Sequence, residues 1–139
     1  MKIYFAGSIR GGRVDIIHYK TIINALKKFG HVYTEHISDE NLTNKGEELS
    51  DIFIHDRDMN WLNNSDIIVA DVSNPSHGVG YEIGRAIEKG KKIICLFKDS
   101  NKYQLSAMIN GSDQLTLIKY TNSRSIVRKI NQYFNKIKP

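Results

Sequence analysis

Residues 67–97 read IIVADVSNPSHGVGYEIGRAIEKGKKIICLF, and the reading of this stretch decides the fold class. Ile67 to Ala70 is a bare apolar run rich in β-branched residues, the pattern of a strand buried on both faces, and Asp71 marks its end. A turn follows from Ser73 to Gly78, then a helical pattern from about Val79 to Glu88 stopped by Gly90. Lys92 to Phe97 is a second buried strand. Strands joined through a helix need a crossover connection, and a crossover implies a parallel pair.

The same alternation extends in both directions. Toward the amino terminus, Lys2 to Ala6 is a short apolar strand ended by Gly7, and a glycine-broken loop leads to a helix over Val14 to Phe29. That helix carries Ile16, Tyr19, Ile23 and Leu26 at three- and four-residue spacing, with Lys27 and Lys28 in its last turn and Gly30 as its stop. His31 to Thr34 is a further strand, Ile37 to Glu48 is polar and poorly periodic and reads as a mobile loop, and Ile52 to Asn64 is a helix. Toward the carboxyl terminus come a helical patch near Leu105 to Ile109, a strand at Leu115 to Lys119 and a helix at Ser125 to Ile137. The expected architecture is a doubly wound α/β domain of the flavodoxin or Rossmann-like kind, with a five-stranded, mostly parallel sheet and helices on both faces. Ligands of such sheets bind outside the carboxyl ends of the strands. That rule points to Gly7–Arg13, to Glu35 and His36, to Asp71–Gly78 and to the loop after Phe97.

The 139 residues are enough for one core and too few for two, so residues 1–139 are read as a single domain. A hydrophobic content of 40% and a charged content of 25% are ordinary for a globular protein. No apolar run approaches the roughly 20 residues that span a bilayer, and Met1 to Ala6 lacks the build of a signal peptide, so a cytoplasmic location is expected. Cys95 is the only cysteine and sits inside an apolar run, which makes it a core residue and excludes an internal disulfide. The net charge of +5 rests on dispersed lysines without interleaved aromatics. It favours small phosphorylated anions over a nucleic-acid polymer.

Two segments carry chemistry-bearing residues. Gly7 to Arg13 reads GSIRGGR, in which glycines let backbone N–H groups approach an anion at the positive end of a helix, while Ser8, Arg10 and Arg13 add donors. The spacing matches neither the dinucleotide fingerprint nor a Walker loop, and a plain tight turn fits as well. Pro75 to Ala86 reads PSHGVGYEIGRA and sets Glu82 early in a helix, where a carboxylate either complements the helix dipole or faces a ligand at the strand ends.

Asp58 shares a helical face with Ile54, Trp61 and Leu62, an acid on an otherwise apolar stripe. Either it serves a site, or it is paired with Arg57 of another chain or with His55 at the helix edge. Two converging carboxylates suit glycosidic cleavage, one attacking or stabilising an oxocarbenium-like centre and the other moving a proton. Tyr4 on the first strand either orients one of them or is a half-buried strand aromatic. The histidines at 18, 31, 36, 55 and 77 show no zinc-binding spacing, so no metal is expected; His36 and His77 remain candidate ligand contacts.

Taken together, YFAGSIRGGR at 4–13, TEH at 34–36, DMNWLNNSDIIVADV at 58–72, NPSHGVGYEIGRA at 74–86 and LSAMING at 105–111 closely resemble the 2'-deoxynucleoside 5'-phosphate N-hydrolase family. This family is a branch of the nucleoside 2-deoxyribosyltransferase superfamily, and the likeness runs along nearly the whole chain. The resemblance implies a homodimer with active sites at the subunit interface, no cofactor, and hydrolysis of deoxynucleoside monophosphates to 2-deoxyribose 5-phosphate and a free base. Glu82 matches the family's nucleophile, Asp58 its second catalytic carboxylate and Tyr4 the tyrosine that positions them. Ser8, Ile9, Arg10, Gly11, Ser76 and Gly78 match phosphate-binding positions, and the flanking Gly7, Gly12 and Arg13 are expected in the same loop. Tyr19 and His36 match positions near the nucleotide. Ser106 matches a serine given to the neighbouring subunit's phosphate site, with Ala107 and Met108 beside it. Three other activities fit the same residue types: a deoxyribosyltransferase acting on unphosphorylated nucleosides, a ribonucleoside monophosphate N-glycosidase, and a noncatalytic nucleotide-binding module. A cluster of charge-assisted donors suits a phosphate dianion better than a neutral 5'-hydroxyl, which favours the hydrolase over the transferase.

Overall fold

The computed structural model describes residues 1–9, 16–34, 36, 46–100 and 102–138. Five strands, β1 (Lys2–Ala6), β2 (His31–Val32), β3 (Ile67–Asp71), β4 (Lys92–Lys98) and β5 (Thr116–Tyr120), form one sheet in the order β2-β1-β3-β4-β5. Every neighbouring pair is parallel, so the sheet is wholly and not just mostly parallel. The helices between and after the strands are α1 (Ile16–Leu26), α2 (Asp51–Asn64), α3 (His77–Glu88), α4 (Ala107–Asn110) and α5 (Ser123–Ile137).

The period of two in each strand divides the core between the sheet's faces. Ile3 and Phe5 of β1, Ile67 and Val69 of β3, and Ile94 and Leu96 of β4 join Tyr19, Ile22 and Leu26 of α1 and Ile126, Ile130 and Phe134 of α5. Their sequence neighbours Tyr4, Ala6, Ile68, Ala70, Ile93 and Cys95 pack with Met59 and Leu62 of α2 and Val79, Ile83 and Ala86 of α3. Cys95 is fully buried in this second cluster, and burial pushes its thiol up to about 12.

Several element boundaries differ from the sequence reading, each for a local reason. The strand expected over His31 to Thr34 ends at Val32, because Thr34 continues the pairing with its side chain. Its Oγ1 accepts from the Phe5 N–H at 2.8 Å and donates to the Phe5 carbonyl at 2.5 Å. Lys27 and Lys28 fall just beyond α1, not in its last turn. Helix α3 starts at His77 because Ser76 accepts from the Val79 N–H, and α5 starts at Ser123 because Asn122 and Ser125 form a reciprocal capping box. α4 begins two residues after Leu105. Residues 37–45 of the expected mobile loop lie outside the described residues. No helix among the described residues is long and apolar enough to cross a membrane.

The order of strands reverses between β1 and β3, so the crevice at their carboxyl ends is where a ligand is expected in such a sheet. Tyr4 and Asp58 lie on the α2/α3 side of that crevice, remote from the α1/α5 cluster, where Phe134 stacks on Phe29 at 4.9 Å. Phe134→Ala is therefore expected to cost about 3–5 kcal/mol of stability in urea unfolding while leaving catalytic turnover below the melting temperature close to that of the unaltered protein.

Candidate active site

The alternation that sends Ile3 and Phe5 to one face sends Tyr4 to the other, beneath α2 and α3. There it is fully buried, not half-buried, and its hydroxyl donates to Glu82 Oε1 at 2.6 Å. Glu82 sits one turn beyond the amino end of α3, three residues after the buried Val79 and next to the buried Ile83. It therefore stands at the edge of the helix's buried face and meets the carboxyl side of β1. Placed there, it does more than complement the helix dipole.

A cavity of about 610 Å³ opens over this pair. Gly7 and Ile9 of the first loop, Pro75, Ser76, His77 and Gly78 at the start of α3, and Asp58, Ile54 and His55 of α2 all line it. Gly46 and Glu47, Asp51, Met59, Val79, Tyr81 and Glu82 also line it. The N–H groups of a helix's first turn lack partners within the helix and carry partial positive charge. The start of α3 therefore gives the cavity an anion-seeking element in addition to its carboxylates.

Asp58 pairs with Arg57 of its own chain and not with His55. Arg57 Nε donates to Asp58 Oδ1 at 2.9 Å. His55 instead lies 2.9 Å from Asp56 and 3.1 Å from the Tyr81 hydroxyl. His36 does not line the cavity but stands 3.5 Å from Glu47, which does.

Burial sets the charge state of the acids. Loss of solvent raises the Glu82 carboxyl from its ordinary 4.5 to about 7, against the lowering effect of the Tyr4 hydrogen bond, and the nearby Asp58 adds to the rise. Asp58 is also raised by burial, with Arg57 opposing the shift. Tyr4 is held well above its ordinary value by burial and by the two acids, so it stays a hydrogen-bond donor at neutral pH.

The other expected site residues are not all brought together. Ser8 is buried, its N–H donating to the Tyr19 hydroxyl at 3.0 Å and its Oγ receiving a 3.5 Å bond from Asn74. Tyr19 is thus a buried support beneath the loop and not part of the cavity wall. Ser106, Ala107 and Met108 are exposed and line no part of the cavity; Ser106 takes the cap position of α4 without a side-chain cap bond. Arg10, Gly11, Gly12 and Arg13, with Glu35, lie outside the described residues. The described residues of the loop after Phe97 do not line the cavity either. Sequence reading missed Glu47, His55 and Tyr81, although His55 directly follows Ile54 on the Asp58 face and Tyr81 adjoins Glu82.

A family model described as nucleoside 2-deoxyribosyltransferase matches residues 3–131. This chain belongs to that family. Among nucleoside 2-deoxyribosyltransferase relatives, the 5-hydroxymethyl-dUMP N-hydrolase of Danio rerio is 47% identical over 137 residues, covering 96% of each chain. The protein of the same name from Esox lucius is 54% identical over 115 residues, 81% of this chain and 79% of its own length. Those relatives identify the branch of the family as the N-hydrolases and make this member an N-glycosidase. The structure of the CMP N-glycosidase of Clostridium botulinum superposes with a TM-score of 0.70 at 20% identity, over 96% of this chain and 99% of the other, which establishes the shared fold.

The native state holds a proton on Glu82 that the unfolded chain releases, so stability is lost as pH rises from 4.5 through 7. Glu82→Gln keeps an acceptor for Tyr4 and removes the charge. In urea unfolding at pH 8 it is expected to be more stable than the unaltered protein by up to about 3 kcal/mol, with little difference at pH 4; an equal difference at both values would contradict burial as the cause.

Proposed function

We propose that this chain hydrolyses the N-glycosidic bond of 2'-deoxynucleoside 5'-monophosphates, releasing 2-deoxyribose 5-phosphate and a free base. The observation that carries the reading is the 2.6 Å hydrogen bond from the buried Tyr4 to a half-buried Glu82 at the wall of the cavity, with Asp58 on the same wall. The carboxylate of Glu82 attacks C1', forming a glycosyl ester as the bond to the base breaks. Asp58 relays the proton that the departing base takes up. Water then attacks C1' of the ester, giving up its proton to Asp58 and restoring Glu82, the logic of a retaining glycosidase applied to an N-glycoside.

The 5'-phosphate is read into the first loop, Gly7 to Arg13, and the amino end of α3 at Ser76 and Gly78, where backbone N–H groups and the Arg10 and Arg13 guanidinium groups suit a dianion. The base then lies toward α2. Because the N-hydrolase relatives are named for 5-hydroxymethyl-dUMP, a pyrimidine monophosphate with a 5-substituent is the first substrate to offer. In the same reading two copies associate, each lending Ser106 to the other's phosphate site, and the reaction runs in the cytosol on free nucleotides. The exposure of Ser106 and of Met108, 84% accessible, supports a surface available to a second copy.

The test incubates the protein with deoxy- and ribonucleoside monophosphates and the matching nucleosides, with and without an acceptor base, and quantifies products by chromatography. Base release that requires the 5'-phosphate is expected; base exchange on unphosphorylated nucleosides would move the assignment to a transferase. Glu82→Ala should bind nucleotide without turnover, and Ser106→Ala should weaken binding in the dimer. Glu82 must be ionised to attack, so kcat/KM should rise through about pH 7. Tyr4→Phe removes the bond that lowers Glu82, and it should carry this rise to higher pH; an unmoved pH profile would remove Tyr4 from the mechanism.

A further inference from the structure

Tyr4 orients Glu82, and a different residue holds Asp58. Neighbours in sequence do not face each other on a helix, so Arg57 meets Asp58 only because its side chain folds back along α2. Trp61, four residues on, supplies the surface for that fold: the guanidinium carbon lies 4.6 Å from its ring centroid. From there Arg57 Nε and Nη2 reach Asp58 Oδ1 at 2.9 and 2.8 Å. The other edge of the guanidinium grips Glu47 with two parallel bonds, Nη1 to Oε1 at 2.7 Å and Nη2 to Oε2 at 2.6 Å. All three side chains are largely buried, at 16% exposure for Arg57 and Glu47 and 20% for Asp58.

Glu47 and Asp58 are both cavity-lining, one from the segment before α2 and one from its third turn. We infer that Arg57 is a positioning residue for the reaction, fixing the Asp58 carboxylate in the cavity wall and locking the Glu47 segment to it in one geometry. The claim rests on the hydrolase reading for its kinetic consequence alone; the geometry stands without it. Among the described residues, the charged and titratable groups acting on Asp58 or acted on by it are Arg57 on its own helix, Glu47 before it, His36 beyond β2, Tyr4 on β1 and Glu82 on α3. Of these, Arg57 alone is a permanent cation, while Glu47 and Glu82 oppose a charge on Asp58. A lysine offers a point charge and no planar fork, so it cannot reproduce the two parallel bonds to Glu47 while also reaching Asp58 in this geometry.

Arg57→Gln and Arg57→Lys test this, with folding checked by circular dichroism. In Arg57→Gln, kcat should fall by about 10-fold or more while KM stays within about threefold, because the ground state keeps its phosphate contacts. In a Glu82→Gln background, which removes the coupled acid, NMR titration of the Asp58 carboxyl should shift by at least about half a unit to higher pH on loss of Arg57. Arg57→Lys should recover most of that titration shift and little of kcat. If Arg57→Gln does not fold, Arg57→Lys carries the test through its loss of kcat at an Asp58 titration close to the original. An unmoved Asp58 titration in Arg57→Gln, or full kcat in either variant, overturns the proposal. Since the titration needs no turnover, an unaltered protein that releases no base from any nucleotide refutes the hydrolase reading while leaving the Arg57 result to stand or fall by itself.

Discussion

A carboxyl group is held out of water on α3, and the phenol of Tyr4 is what makes that placement tolerable. Burying an acid without a donor costs several kcal/mol or forces it to keep its proton. Glu82 does both in part: it accepts the Tyr4 bond and it ionises only near neutrality. For that bond to form, β1 must present Tyr4 to the α2/α3 face, β1 must lie beside β3, and α3 must leave β3 through the Ser73 to Ser76 turn at the right angle. The sheet order and the two-sided core are the conditions for a single 2.6 Å contact.

The two sides of the sheet divide the work. The α1/α5 side is an apolar cluster whose polar members pair with each other: the Tyr120 hydroxyl donates to the buried Asp71 at 2.9 Å, and the Ser73 N–H bonds the same carboxylate. The α2/α3 side is interrupted at its carboxyl edge by the two acids and the cavity. The cost of desolvating a carboxyl at that edge is offset by apolar burial on both faces of the sheet.

Most of the architecture was legible because its signals are local. The apolar runs at 67–70 and 92–97 name buried strands, the spacing of Ile16, Tyr19, Ile23 and Leu26 names a helix, and Gly7, Gly30 and Gly90 mark the ends of three elements. Boundaries slipped where side chains replace backbone bonds, as Thr34 does beside Phe5 and Asn122 does before α5. Glu82, Asp58 and Tyr4 were legible through family likeness and through the oddity of an acid on an apolar stripe. Neither could reveal the role of Arg57 toward Asp58, since adjacent residues on a helix are expected to diverge, nor the reach of Glu47 across to it. Both contacts depend on a tryptophan platform that exists only once the helix is packed. Tyr19 holds the helical position of a core residue, and its hydroxyl accepts from the Ser8 N–H of the first loop, a contact that spacing alone does not announce.

Both margins of the sheet are blunted. On one side β2 is only two residues long, and Thr34 occupies the Phe5 amide and carbonyl that a longer strand would have paired with. On the other, the Tyr120 carbonyl turns inward to Asp99, leaving the preceding Lys119 carbonyl facing out, where the Lys129 ammonium holds it at 2.5 Å. Open strand edges are templates for edge-to-edge growth and aggregation. A two-residue edge strand on one side and a lysine set against an outward carbonyl on the other leave little flat edge for a second copy to add to, so the described margins of the sheet disfavour edge-to-edge growth.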